Sequence, residues 1–131
     1  MNESQISILE TLDEEDYHGV LHKIEQLTAH DQNHGRMIIA KADAYYELKD
    51  DIEALSWYLK YYQMYPNGGG VGFALFGAAV CLKNLDLQPE AYSVLQLAPQ
   101  DHFGLQKEIE DSKERLAKQK QARDLLVIFN Q

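Results

Sequence analysis

Four of the five histidines fall in two pairs four residues apart, His18/His22 and His30/His34. On one helix that spacing sets two imidazoles on the same side, where they could share a metal ion. "HGVLH" lacks the Glu directly after the first His that a metalloprotease helix uses as its base. The second pair straddles an expected helix end at His34-Gly35. Both pairs are expected at the surface, with no metal. The lone cysteine, Cys81, lies in the apolar run "AAVCLKN" with no base beside it. A buried, reduced, structural thiol is expected there rather than a nucleophile. Glu14/Glu15 and Asp50/Asp51 stand in turns, where water and the next helix N-terminus suit a carboxylate. None of these groups is expected to do acid–base or covalent work, so no enzymatic activity is expected.

The stretch "YPNGGGVGFALFG", from Tyr65 to Gly77, is the other candidate, because glycine-rich loops that open helices often hold phosphates. Gly72 and Gly77 have the gap of a phosphate loop, but Ala78 and Ala79 follow where Lys and Ser or Thr are needed. Gly70 and Gly72 are followed by Leu75 where a dinucleotide fingerprint needs a third small residue, and no strand precedes them. The loop is expected to be a joint between structural units, with no cofactor.

The elements that must position these residues read as helix almost throughout. No alternating strand pattern lasts, and the breakers cluster at His34-Gly35, Pro66 to Gly72, Pro89 and Pro99 to Asp101. The chain of 131 residues is long enough for one domain with its own core. It holds no run of eighteen apolar residues, and its N-terminus lacks the pattern of a secretory signal. A cytoplasmic location is expected. The net charge is −9, and residues 1–34 carry eight acids against one base. That disfavours nucleic acid and anionic membrane as partners.

Residues 35–68 split at "LKDD" into two antiparallel helices. The first sets Ile38, Ala42 and Tyr45 on one face. The second sets Ile52, Leu55, Leu59 and Tyr62 along a stripe, with Ala54, Tyr58 and Tyr61 beside it. Pro66 closes the unit. This segment resembles a tetratricopeptide repeat, a 34-residue helix–turn–helix. Ile38, Lys41-Ala42 and Tyr45 match the first helix, with Lys41 a departure. Ala54, Tyr58 and Pro66 match the second. Stepping back one period, Val20 matches Ala54, Ile24 matches Tyr58 and "LDEEDY" matches "LKDD"; Val20, Leu21, Ile24 and Leu27 face inward, with His18 and His22 outward. Downstream, Phe73, Phe76, Gly77 and Val80 stand at first-helix positions, Pro89 begins the partner helix, and Ala91 is its small residue. The third unit is expected to have a turn about two residues longer and to end at Pro99.

The resemblance implies a single all-α domain over residues 1–131: a short right-handed superhelix of three antiparallel helix pairs (about 1–34, 35–68 and 69–100). A long capping helix over about 102–129 would follow, opened by Asp101, with Leu105, Ile109, Ser112, Leu116 and Ala122 near one stripe. The resemblance further implies a concave groove lined by first helices, which here places Ile6 and Leu9, then Ile39, Ala40, Asp43 and Tyr46, then Ala74, Leu75, Ala78 and Cys81 along it. The helix "FALFGAAVCL" is apolar all round, and the alternative is that its neighbours or the C-terminal helix simply bury it. Family members that clamp the carboxylate tails of heat-shock chaperones use Lys, Arg and Asn there. Asp43 and apolar residues replace them, so the expected partner is a peptide or apolar segment of another protein. Small acidic three-repeat proteins of this kind also resemble the chaperones of type III translocator subunits. A further expectation is self-association. Leu125, Leu126, Ile128 and Phe129 make an unusually apolar end, which could fold back, occupy the chain's own groove, or pair two chains as a homodimer.

Overall fold

The computed structural model describes residues 1–98 and 105–129. Among them the chain is all-helical: α1 (Glu3–Asp13), α2 (Tyr17–Glu25), α3 (Ala29–Gln32), α4 (Gly35–Glu47), α5 (Asp51–Met64), α6 (Val71–Asn84), α7 (Gln88–Leu95) and α8 (Leu105–Phe129). The ends follow local chemistry. Asn2 and Gln5 form a reciprocal capping box on α1. Asp16, Thr28 and Asp50 accept backbone N–H bonds at the starts of α2, α3 and α5. The His34 imidazole caps α4, and Pro89 sits in the first turn of α7. The α5 helix stops at Met64, just before Pro66. Asp101 and Pro99 lie outside the described residues, as do the side chains of Leu105, Ile109 and Ser112. Of that stripe's remainder, Leu116 is half-buried and Ala122 exposed.

Three turns join α1 to α2, α4 to α5 and α6 to α7, and they share one geometry. Each has a residue in the left-handed region at its centre: Glu15 at φ 61°, Lys49 at 67° and Asp86 at 65°. That residue's N–H donates to the carbonyl three back, Leu12, Tyr46 or Lys83. The next N–H donates to the carbonyl five back, Thr11, Tyr45 or Leu82, at 3.2, 2.9 and 2.8 Å. This double bond satisfies the last carbonyls of the outgoing helix and reverses the chain. The turn therefore takes three residues. The α6–α7 turn is no longer than the others; the extra residues of the third unit lie ahead of it, in the glycine loop and in α6.

Helices pack mostly on their chain neighbours: α1 on α2, α4 on α5, α5 on α6, α6 on α7, and α7 on α8. The α4 helix also meets α1, α2 and α6. Among the described residues there are two apolar clusters, and α4 belongs to both. Met37, Ala40 and Ala44 close over Ile8, Val20 and Ile24. Ile38 and Ala42 join Ala54, Tyr58, Tyr61, Ala74, Leu75 and Ala78. The inner stripe of α5 is Ala54, Tyr58 and Tyr61, while Ile52 is 63% exposed. Ile52 falls two residues short of the Ala54 stripe, which turns it by about 200° onto the solvent side.

Lys41 stands where an apolar residue was expected. Its ammonium lies 3.8 Å from the centre of the Trp57 ring, and Lys60 lies 4.7 Å from the same ring. The aliphatic stem supplies the missing apolar cover while the charge rests on the indole. Burial lowers the Lys41 pKa, and the neighbouring Lys60 lowers it further.

A candidate peptide-binding groove

The glycine loop owes its composition to close approach. The Gly70 N–H donates to the Tyr61 hydroxyl at 3.0 Å. A Cβ on Gly70 would stand 2.6 Å from Ile39 Cδ1, and one on Gly68 would stand 2.6 Å from the Tyr61 hydroxyl. Further on, a Cβ on Gly77 would stand 2.5 Å from Tyr58 Cζ, inside contact distance. These glycines seat the loop and α6 directly on the tyrosines of α5, as expected of a joint.

That seating leaves two adjoining hollows across α1, α4 and α6, of about 590 and 650 Å³. Both are lined by Leu12, Asp13, Ile39, Asp43 and Phe73. The first extends over Tyr17, Tyr46, Phe76 and Val80, and the second over Leu9, Arg36 and Tyr61. Phe73 is 65% exposed. The walls are therefore apolar and aromatic. The acids Asp13, Glu15, Asp43 and Glu47 cluster in the first hollow.

Asp43 is the polar centre. It comes from α4, half-buried, and its Oδ1 accepts a hydrogen bond from the Tyr58 hydroxyl of α5. Burial pushes the Asp43 carboxyl above its ordinary range; the Tyr58 bond pulls it back down, and Glu47 adds to the rise. Burial, then the Asp43 charge, hold the Tyr58 hydroxyl protonated far above the usual phenol range. Tyr58 is thus a fixed donor. The pair presents one incompletely solvated carboxylate among apolar walls, an arrangement that suits a cationic side chain or an N–H donor.

Each expected groove residue can now be placed. Ile39, Asp43, Tyr46 and Leu9 line the hollows. Ala40 lines the second hollow but is itself 1% exposed. Ile6 is exposed but outside both. Ala74, Leu75, Ala78 and Cys81 do not line the groove: none is more than 1% exposed, and all belong to the core. The α6 residues that do line it are Phe73, Phe76, Gly77 and Val80. Burial is the alternative that an α6 apolar on every side allows. The expectation sets groove residues of α6 35 positions beyond those of α4. Counting back from the matching turns, Lys49 and Asp86, pairs Ile39 with Phe76 and Asp43 with Val80, an offset of 37. A slip of two residues turns a helix face by about 200° and exchanges groove for core. The offset leaves no mark in the sequence; the left-handed turn residues display it.

Cys81 is buried, and burial pushes its thiol up to about 12. His18, His22, His30 and His34 are exposed. Among the described residues no group of three or more His, Cys, Asp and Glu side chains is placed to hold a metal ion. None of the described helices is long and apolar enough to cross a membrane.

A third hollow, about 210 Å³, lies between α6, α7 and α8, with Phe76, Val80, Tyr92, Leu95, Arg115 and Leu116 around it. The Gln119 side chain donates to Gln88 Oε1 at 2.5 Å and ties α8 to α7. Beyond it Leu125, Leu126, Val127, Ile128 and Phe129 are 58–83% exposed. Compared with family models, with curated proteins and with solved structures, the chain shows no significant match.

Proposed function

We propose that the protein is a non-enzymatic, cytoplasmic interaction module of the tetratricopeptide type, whose groove takes an apolar peptide segment carrying one cationic side chain. The observation that carries this reading is Asp43. A partly desolvated carboxylate, held by Tyr58 and ringed by Leu12, Ile39, Phe73, Phe76 and Val80, gains most from a cation that arrives with apolar neighbours. Support for the repeat arrangement comes from the three like turns: Glu15 and Lys49 are one 34-residue period apart, and Asp86 follows three residues late. The nearest-neighbour packing of α1 to α7 also suits a short right-handed superhelix.

Anisotropy titrations with labelled twelve-residue peptides test it. Peptides with spaced Leu or Phe residues and a single Arg should bind. Replacing that Arg by Gln, or making Asp43→Asn in the protein, should each weaken binding about tenfold, and both together little more than either alone. Phe73→Ala and Tyr46→Ala should weaken it as well. Affinity that ignores Asp43→Asn and Phe73→Ala alike would overturn the reading.

A further inference from the structure

We infer that the groove's occupant is the C-terminal half of α8 from a second copy of this chain. The inference rests on the peptide-groove reading and names the partner. Charge and apolarity both match. Residues 113–124 hold five bases, Lys113, Arg115, Lys118, Lys120 and Arg123, against two acids, in a chain of net charge −9. Directly after them come five consecutive exposed apolar residues, Leu125 to Phe129. The first hollow offers the reverse: acids Asp13, Glu15, Asp43 and Glu47 beside apolar Ile39, Phe73 and Phe76, with one base, Arg36, in the second hollow.

Size agrees too. Helices pack 8–10 Å apart, so a groove over three of them is about 20 Å long. Twelve helical residues, 118–129, span about 18 Å. The chain's own tail is not the occupant. The α8 helix runs unbroken to Phe129, is tied to α7 at Gln119, and contributes no described residue to either groove hollow. Tail into groove is a heterologous contact. Two copies that exchange tails reciprocally close into a dimer; otherwise the contact propagates.

Light scattering on full-length chains decides the matter. Two variants leave the core untouched: Asp13→Lys with Glu47→Lys in the exposed rim, and Leu126→Asp with Ile128→Asp in the exposed tail. Wild type should associate, about tenfold more weakly in 500 mM than in 50 mM salt. Each variant alone should be monomeric, with an unchanged helical circular dichroism spectrum. An equimolar mixture should form a 1:1 complex, because one copy keeps its groove and the other its tail. Monomeric wild type at 100 μM would overturn the inference. So would a mixture that stays monomeric although the tail variant alone lost association, since that pattern marks tail-to-tail pairing. The tail variant also separates this failure from failure of the underlying reading. If it binds the Leu/Phe/Arg peptides but not a labelled peptide of residues 113–131, the self-partner falls and the peptide groove stands. If it binds neither, both fall.

Discussion

Gly77 and Asp43 show how single positions in this chain trade packing against exposure. The Tyr58 ring fills the space where a Cβ of residue 77 would stand, and that ring is also the donor to Asp43. Gly77→Ala should therefore destabilise by about 1–3 kcal/mol despite alanine's better helix propensity, because the ring or the helix must shift. Urea unfolding measures it, and peptide affinity should fall in parallel as Tyr58 is displaced. Asp43→Asn should do the opposite to stability. A half-buried carboxyl with a raised pKa makes the folded state the tighter proton binder, so stability falls as pH rises from 3.8 to the folded value and then stays level. Asparagine removes that fall. The variant should be as stable as wild type or more so at pH 7, its stability should vary less across that window, and it should lose peptide affinity. A group that lowers stability and raises affinity is the mark of a binding site rather than a core pair. In wild type a bound cation favours the carboxylate, so affinity should drop as pH falls through the Asp43 titration. Cys81 makes a simpler case: buried, with its pKa near 12, it should resist disulfide reagents at pH 8 and react only at the rate of unfolding.

The reversing turns are the elements in which sequence and structure are most tightly joined. Glu15, Lys49 and Asp86 all take a left-handed conformation that costs an L-residue roughly 1–2 kcal/mol and glycine almost nothing. Lys49→Gly should raise stability by up to about 1 kcal/mol, the gain being reduced by the looser unfolded chain, with an unchanged urea m-value. Asp50→Ala, one residue on, should lower stability by about 1 kcal/mol through loss of the α5 cap. A destabilising Lys49→Gly would mean the turn is not under backbone strain. The same turns explain what the sequence could and could not reveal. In α4 and α5 the buried stripe of Ile38, Ala42, Ala54 and Tyr58 and the helix end before Pro66 were legible, because small and large apolar residues recur there at helical spacing and proline cannot continue a helix. In α6 nearly every position is apolar, so periodicity gives no phase, and the glycine loop before it absorbs extra residues without visible trace. Groove and core were exchanged there for that reason. Asp43 was legible as a groove residue, but its hydrogen bond to Tyr58 was not, since it depends on how α4 and α5 cross. The acidic rim was visible only as a charge excess in residues 1–34, with no sign that Asp13 and Glu15 would meet Glu47 from α4.

At the scale of the whole molecule, the division into two apolar clusters joined through α4 sets how the protein comes apart. Ile8, Val20 and Ile24 are almost fully buried against Met37, Ala40 and Ala44, but none of them touches the larger cluster under Tyr58 and Leu75. A chain whose helices pack mainly on their neighbours should open from its ends inward. Native-state hydrogen exchange should find the slowest amides in α4, α5 and α6, intermediate protection in α1 and α2, and the least in α8 beyond Gln119. Ile24→Ala leaves a cavity in the first cluster and should cost about 2–5 kcal/mol there. Because the damage lies on one side of α4, it should speed exchange in α1 and α2 by two to three orders of magnitude while changing α5 and α6 little. Ile38→Ala, on the other face of α4, should speed exchange in α5 and α6 as well as in α1 and α2, since opening the larger cluster also frees the helix on which the smaller one rests. Equal acceleration of every helix by Ile24→Ala would show one all-or-none unit instead. It would also count against the proposed repeat architecture.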